Sequence, residues 1–282
     1  MRRPRARAPC SASPNAVPSS PYPQPADTGR LVASVLARGL PGLPEVSAGD
    51  DLAALIVGAL GGAELSGGHL VAIAHKVVSK AEDAVVQLAT VTPSRRACEL
   101  AAENGKDPRV VQVVLDQSQQ LLRAERGVLI CRTLHGFVCA NAGVDASNAP
   151  SPDTLVLLPA DPDASARRIR ARLRELTGQA PAVLISDSFG RAWRQGQLDV
   201  AIGLAGMQPL DDWRGRADAA GLELRATWLA AADAAAASAE LARAKDSREP
   251  VVLIDGLQRY LTAADGPGAA ALLRAPDEDL FL

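Results

Sequence analysis

Residues 181–206 read PAVLISDSFGRAWRQGQLDVAIGLAG, and this pattern constrains the fold more than any other stretch of the chain. Ala182-Val183-Leu184-Ile185 is a short apolar run of the kind that forms a buried strand. It stops abruptly at Ser186-Asp187-Ser188, passes through Gly190, Arg191, Arg194 and Gly196, and returns to an apolar run at Val200-Ala201-Ile202. A polar loop rich in functional groups is therefore expected between two core elements. Asp187 and Ser188 offer hard oxygens that suit Mg²⁺ or Mn²⁺. Arg191 and Arg194 can fork onto phosphate oxygens and are the candidate catalytic cations. The glycines let the backbone approach a ligand closely. For one Asp-Ser pair alone, a tight turn with solvated charges would be the better reading. The whole cluster at a strand end favours a site.

The chain has 282 residues, 48% of them hydrophobic but only 3% aromatic, so aliphatic strands and alanine-rich helices must build the core. Its length suits one large domain or two intimately joined ones. A formal net charge of -2 gives no electrostatic case for nucleic acid or an anionic membrane as partner. No apolar run approaches the length of a spanning helix. Cys10, Cys98, Cys131 and Cys139 show no CxxC spacing, which points to a reduced, cytoplasmic protein. His69, His75 and His135 form neither HxH nor HExxH, which argues against zinc. Residues 1–29 are dense in Pro, Ser and Arg and have no apolar h-region, so a disordered extension is expected rather than a secretory signal.

Apolar runs predict strands over 31–37, 70–74, 155–158, 222–229 and 251–254, and a hairpin pairing 128–132 with 137–140. Helices are predicted over 52–60, 94–104, 108–123, 164–176 and 230–245, the first capped by Gly49-Asp50-Asp51. Residues 256–282 carry Gly, Pro and acidic side chains and read as a loose tail. The result is a mixed α/β (α+β) chain. It lacks GxGxxG and GxxxxGK[ST], so it is neither a Rossmann domain nor a P-loop protein.

Three segments could converge on one site. The segment 75–82 places His75, Lys76 and Lys80 just past a buried strand, where lysine can meet phosphate as a point charge. In 141–148, Asp145 could ligate a cation and Asn148 could bond a base, ribose or phosphate. The segment 187–196 is the third. Taken singly, the first is better read as a strand end with solvated lysines, and the second reads readily as an Asx-rich turn. Together the three suit phosphoryl transfer, where catalysis is mostly positioning and electrostatics. Cys131 and Cys139 read as core thiols.

HKVVSKAE (75–82), NAGVDASN (141–148) and DSFGRAWRQGQLDVAIGLAG (187–206) resemble the signature segments of the coenzyme F420-0:L-glutamate ligase family. Gly42-Leu43-Pro44 and Gly49-Asp50-Asp51-Leu52 match as well, and 241–252 more loosely. The resemblance covers 31–256 and implies a ligase domain over 30–256. It implies a GTP-dependent amide ligase that joins L-glutamate to the carboxylate of coenzyme F420-0 through an acyl-phosphate, releasing GDP and phosphate. It also implies an intertwined homodimer. Pro41, Gly42, Leu43, Pro44, His75, Lys80 and Asn148 would bind GTP. Asp145 and Asp187 would hold one divalent ion, Mg²⁺ or Mn²⁺, and Ser188 would touch a second. A requirement for K⁺ stays open. His75 stands where relatives carry a small or amide side chain, and Lys245 where some carry an acidic residue near the second ion. The alternatives are a ligase of the same build acting on another carboxylate and amine, and a nucleotide-binding regulatory protein without catalysis.

Overall fold

The structure, a computed structural model, describes residues 34–244 and 246–279. The expected extension at 1–29, the start of the first predicted strand and Lys245 lie outside these residues. The chain runs β1 (Leu36–Gly39), α1 (Leu52–Ala59), β2 (Leu70–Ala74), α2 (His75–Ala81), β3 (Val85–Gln87), α3 (Arg95–Asn104) and α4 (Pro108–Asp116). It continues through β4 (Ser118–Glu125), β5 (Val128–Thr133), β6 (Val138–Ala140), β7 (Thr154–Val156) and α5 (Pro162–Thr177). It ends with β8 (Ala182–Arg191), β9 (Arg194–Ala205), β10 (Leu210–Asp212), β11 (Trp228–Ala230), α6 (Ala231–Ala242), β12 (Val251–Asp255) and short 3₁₀ turns. The mixed α/β class expected from the sequence is the class observed.

The central sheet has the order β1-β12-β2-β8-β9. Only β2 and β8 are parallel; the other pairings are antiparallel. Alternate residues of the buried strands enter two different cores. Val71, Ile73, Val183, Ile185, Val251 and Leu253 pack with residues of α1 and α5, whereas Leu70, Ala72, Ala182, Leu184, Val252 and Ile254 pack with the alanines of α6. Covering both faces explains why these strands read as continuous apolar runs rather than alternating ones. The approach is close at Gly203, where a Cβ would lie 2.4 Å from the Pro162 carbonyl oxygen at the start of α5. A third cluster joins α3, α4 and the sheet β4-β5-β6 around Leu100, Val114, Leu129 and Cys131.

Helix ends follow their capping chemistry. Asp51, Ser94, Asp107 and Asp161 each accept a hydrogen bond from a backbone amide of the first turn. Gly105 and Gly178 close α3 and α5 in the left-handed conformation.

Four expectations are corrected. The helix predicted over 108–123 ends at Asp116, and residues 118–125 form β4 instead. Their composition favours helix, but pairing with β5 recruits them to a sheet. Residues 187–196 are the upper part of the β8–β9 hairpin, turning at Ala192-Trp193, and not an irregular loop. Of the strand predicted over 222–229, only Trp228 and Leu229 fall in a strand, the start of β11. Residues 256–279 do not hang loose: Leu257 and Ala269 are buried, and Asp163 accepts hydrogen bonds from the Ala269 and Ala270 amides.

Residues 212–228 form a separate small unit. Within it, Arg214 lies over the Trp228 ring at 4.2 Å and Arg216 over Trp213 at 4.9 Å.

Candidate functional site

β2 and β8 run parallel to a last register pair, Ala74 with Ser186. Beyond it β2 passes directly into α2, while β8 continues as strand. The first residues of α2 and Asp187 are thereby brought side by side at the carboxyl ends of a parallel pair, the place where open α/β sheets commonly bind ligands. A register shift between Ile185 and Ser186 marks the point where apolar residues give way to polar ones.

Helix α2 ties three segments together. His75 is buried and places Nε2 3.2 Å from Asp187 Oδ1. Lys76, the next residue, donates to Asp145 Oδ2 at 2.6 Å and to Ser147 Oγ at 2.5 Å. Lys80, one turn on and also buried, pairs with Glu45. Glu45 follows the loop Pro41-Gly42-Leu43-Pro44, in which Gly42 has a φ of 83° and Leu43 packs against the core. The Gly49 amide donates to the Ala81 carbonyl at 2.9 Å and secures the same loop to the helix end. Consecutive residues of one helix therefore reach the two candidate metal carboxylates, and a third reaches Glu45, the residue after the Gly-Pro loop.

Asp145 follows a short 3₁₀ turn whose Asn141 and Ala142 both have positive φ. Its backbone forms an isolated bridge to Val156 of β7. Its carboxylate accepts from the Ser147 amide at 2.7 Å and the Ser147 hydroxyl at 2.9 Å. Burial works to raise the pKa of Asp145, but the Lys76 and Ser147 hydrogen bonds outweigh it and hold the carboxyl below its usual range. Asn148 is exposed, with φ 54°, at the end of this turn.

Side chains alternate across a strand, and this separates Asp187 from Ser188. Asp187 lies on the face toward His75. Ser188 Oγ donates to Asp199 Oδ1 of β9 at 2.6 Å, and Ser186 Oγ donates to Asp199 Oδ2 at 2.9 Å. Arg243 pairs with Asp199 and donates to Ser186 Oγ at 3.0 Å, and the Asp199 amide donates to Glu240 at 2.9 Å. Asp199 is 1% exposed. This network beneath the strand was not singled out from the sequence, although a carboxylate directly preceding the apolar run Val200-Ala201-Ile202 is the signal that could have found it.

Arg191 and Arg194 face each other at the exposed hairpin tip. The Arg191 guanidinium donates to the Gln195 carbonyl at 2.6 Å. The four-residue step from Asp187 to Arg191 spans about 13 Å along a strand. The two arginines are thus not brought to the His75–Asp187 contact.

Cys131 and Cys139 oppose each other across β5 and β6 as free thiols. Burial, then the nearby Asp187 charge, pushes the Cys139 thiol up to about 12, and burial raises Cys131. Neither is poised as a nucleophile. Among the described residues no three His, Cys, Asp or Glu side chains converge to hold an ion by themselves. One or two carboxylates completed by water and phosphate oxygens are an ordinary setting for Mg²⁺, and Asp187 and Asp145 fit that donor chemistry. No helix among the described residues is long and apolar enough to cross a membrane.

The fold and these side chains define a mixed α/β protein with carboxylates and lysines gathered where a parallel strand pair ends. The family model for F420-0:Gamma-glutamyl ligase matches residues 42–256. A "Coenzyme F420:L-glutamate ligase" of Methanopyrus kandleri is 46% identical over 84% of this chain and 93% of its own length. Proteins of the same name from Methanothermobacter thermautotrophicus and Haloarcula marismortui are 42% and 39% identical, over 86% and 85% of this chain and 97% and 92% of their own lengths. The chain belongs to the F420-0:gamma-glutamyl ligase family.

Proposed function

We propose that this protein joins L-glutamate to coenzyme F420-0 in a GTP-dependent reaction. Family membership supports the substrates. The observation that carries the site is α2, whose His75, Lys76 and Lys80 reach Asp187, Asp145 and Glu45. A carboxylate oxygen of the acceptor attacks the γ-phosphorus of GTP, and GDP leaves. The α-amino group of glutamate then attacks the acyl carbon, loses a proton, and inorganic phosphate leaves as the amide forms. Lys80 and the Gly42 loop bind the nucleotide, with Asn148 beside them. Lys76 turns from Asp145 to a phosphate oxygen as the site fills. Asp145 and Asp187 hold the divalent cation, which supplies charge neutralisation of the phosphates. Ser188 belongs to a second cation position. Arg191 and Arg194 meet the charged tail of the acceptor at the hairpin tip. A cytoplasmic homodimer is part of the same reading.

The test is incubation of the full chain with GTP, Mn²⁺, L-glutamate and F420-0, followed by mass spectrometry. Glutamylated product and GDP should form in step, with the deazaflavin absorbance unchanged. An absorbance change without GDP release would refute the ligase reading. Replacing Lys80 with alanine should raise the GTP concentration required by about tenfold, the scale of one charge-assisted contact. Unchanged GTP affinity would remove Lys80 from the site.

A further inference from the structure

We propose that His75 is itself a ligand of the divalent cation, through Nε2, beside Asp187. This rests on the cation assigned above and assigns the site a nitrogen donor. The His75 side chain is 3% exposed, and its Nε2 is buried with no hydrogen-bond partner. Asp187 Oδ1 is only 3.2 Å away, yet the ring nitrogen is not aligned on it. The two atoms are close but do not satisfy each other. Such a pair is what two donors look like when both point at a third body off the line between them. Two ligands bonded to one ion at about 2.1 Å, at the right angle of an octahedron, lie roughly 3 Å apart.

The surroundings orient both donors. Nδ1 of His75 lies 3.4 Å from Ser79 Oγ, one helical turn along α2. With its proton on Nδ1 toward that hydroxyl, the ring leaves a lone pair on Nε2, the usual arrangement of a ligating histidine. The Ser188 amide donates to Asp187 Oδ1 at 2.8 Å and sets the carboxylate. His75 and Asp187 supply two positions and Asp145, assigned to the same ion above, a third; water and phosphate oxygens fill the others. Imidazole suits transition metals better than Mg²⁺, so this donor set favours Mn²⁺.

The experiment is pulsed EPR of the wild-type full chain loaded with Mn²⁺, alone and with GTP, alongside Mn²⁺ and Mg²⁺ titration calorimetry. The expected spectrum carries an imidazole ¹⁴N coupling that becomes a ¹⁵N coupling in protein labelled at histidine. The coupling should vanish in His75→Gln, which puts an oxygen donor in place of nitrogen. Mn²⁺ affinity should then fall about tenfold or more, with little change for Mg²⁺. If Mn²⁺ binds without nitrogen coupling, His75 is not a ligand, its contact with Asp187 is a bent ion pair only, and the cation reading stands. If no Mn²⁺ binds with or without GTP, this inference and the cation reading both fall. The wild-type spectrum decides even if the variant fails to fold.

Discussion

Asp187 sits on β8 one residue past its last pair with β2 and is paired with Val200 of β9, and the residues flanking it are locked from below by the Asp199–Arg243 pair. Asp145 sits after a turn, joined to the sheet β3–β7 by one isolated bridge and held by Lys76 and Ser147. Asp187 is 16% exposed and Asp145 43%. In the proposed reaction the two serve one cation. The difference shows how the site divides its labour. The strand side is fixed by long-range structure and cannot shift without disturbing the sheet. The loop side rests on local hydrogen bonds and one ion pair that another cation can replace, so adjustment on binding belongs there.

The largest effect is expected at the buried base of the strand side. Replacing Arg243 with methionine leaves the Asp199 carboxylate buried without its cation and should cost about 3–5 kcal/mol of stability, read by urea denaturation. A loss below about 1 kcal/mol would mean that the strand side is not locked by this pair. Next in size are the carboxylates themselves. Asp187→Asn and Asp145→Asn should each lower turnover by roughly two orders of magnitude, the scale of lost transition-state charge stabilisation. Near-normal turnover of either variant at limiting metal would contradict the shared ion.

A smaller effect sharpens the loop side. Asp145 has a lowered folded pKa, so its ionised form contributes stability above the unfolded value, 3.8, and that contribution is lost as pH falls through the folded value. In Lys76→Met burial acts on Asp145 with its main opposing cause removed. The melting temperature of the variant should lie below that of the wild type near neutral pH, and the gap should close on acidification past the carboxylate range. A gap independent of pH would show that Lys76 acts through packing alone. The smallest effect is expected for a chain beginning at Arg30, which should keep both turnover and melting temperature. A large loss in either would give residues 1–29 a role that their composition does not suggest.

The same division governs what the sequence disclosed. The buried strands were legible because both faces are apolar, and α5 because its apolar residues recur at helical spacing; the caps Ser94, Asp161, Gly105 and Gly178 then set where α3 and α5 start and stop. Strand β4 was not legible: SQQLLRAE has helical composition, and only its partner β5 makes it a strand. His75, Lys80 and Asp187 were picked out as candidates from residue type past apolar strands, and Asp145 from a polar, glycine-bearing loop. Their partners were not, because Glu45 with Lys80, or Asp199 with Arg243, meet across long stretches of chain and no local pattern records such pairs. Ser188 illustrates the limit: it adjoins Asp187 in sequence, yet strand alternation sends its hydroxyl to the other side.

In the proposed reaction the acceptor is activated by phosphoryl transfer from GTP at the α2–β8 site. This step is tested most directly with F420-0 labelled with ¹⁸O in its acceptor carboxylate, incubated with the protein, GTP, Mn²⁺ and L-glutamate. One labelled oxygen is expected in the released inorganic phosphate for each amide formed, because the carboxylate oxygen that attacks phosphorus leaves with it. Amide formation with unlabelled phosphate would contradict the acyl-phosphate route.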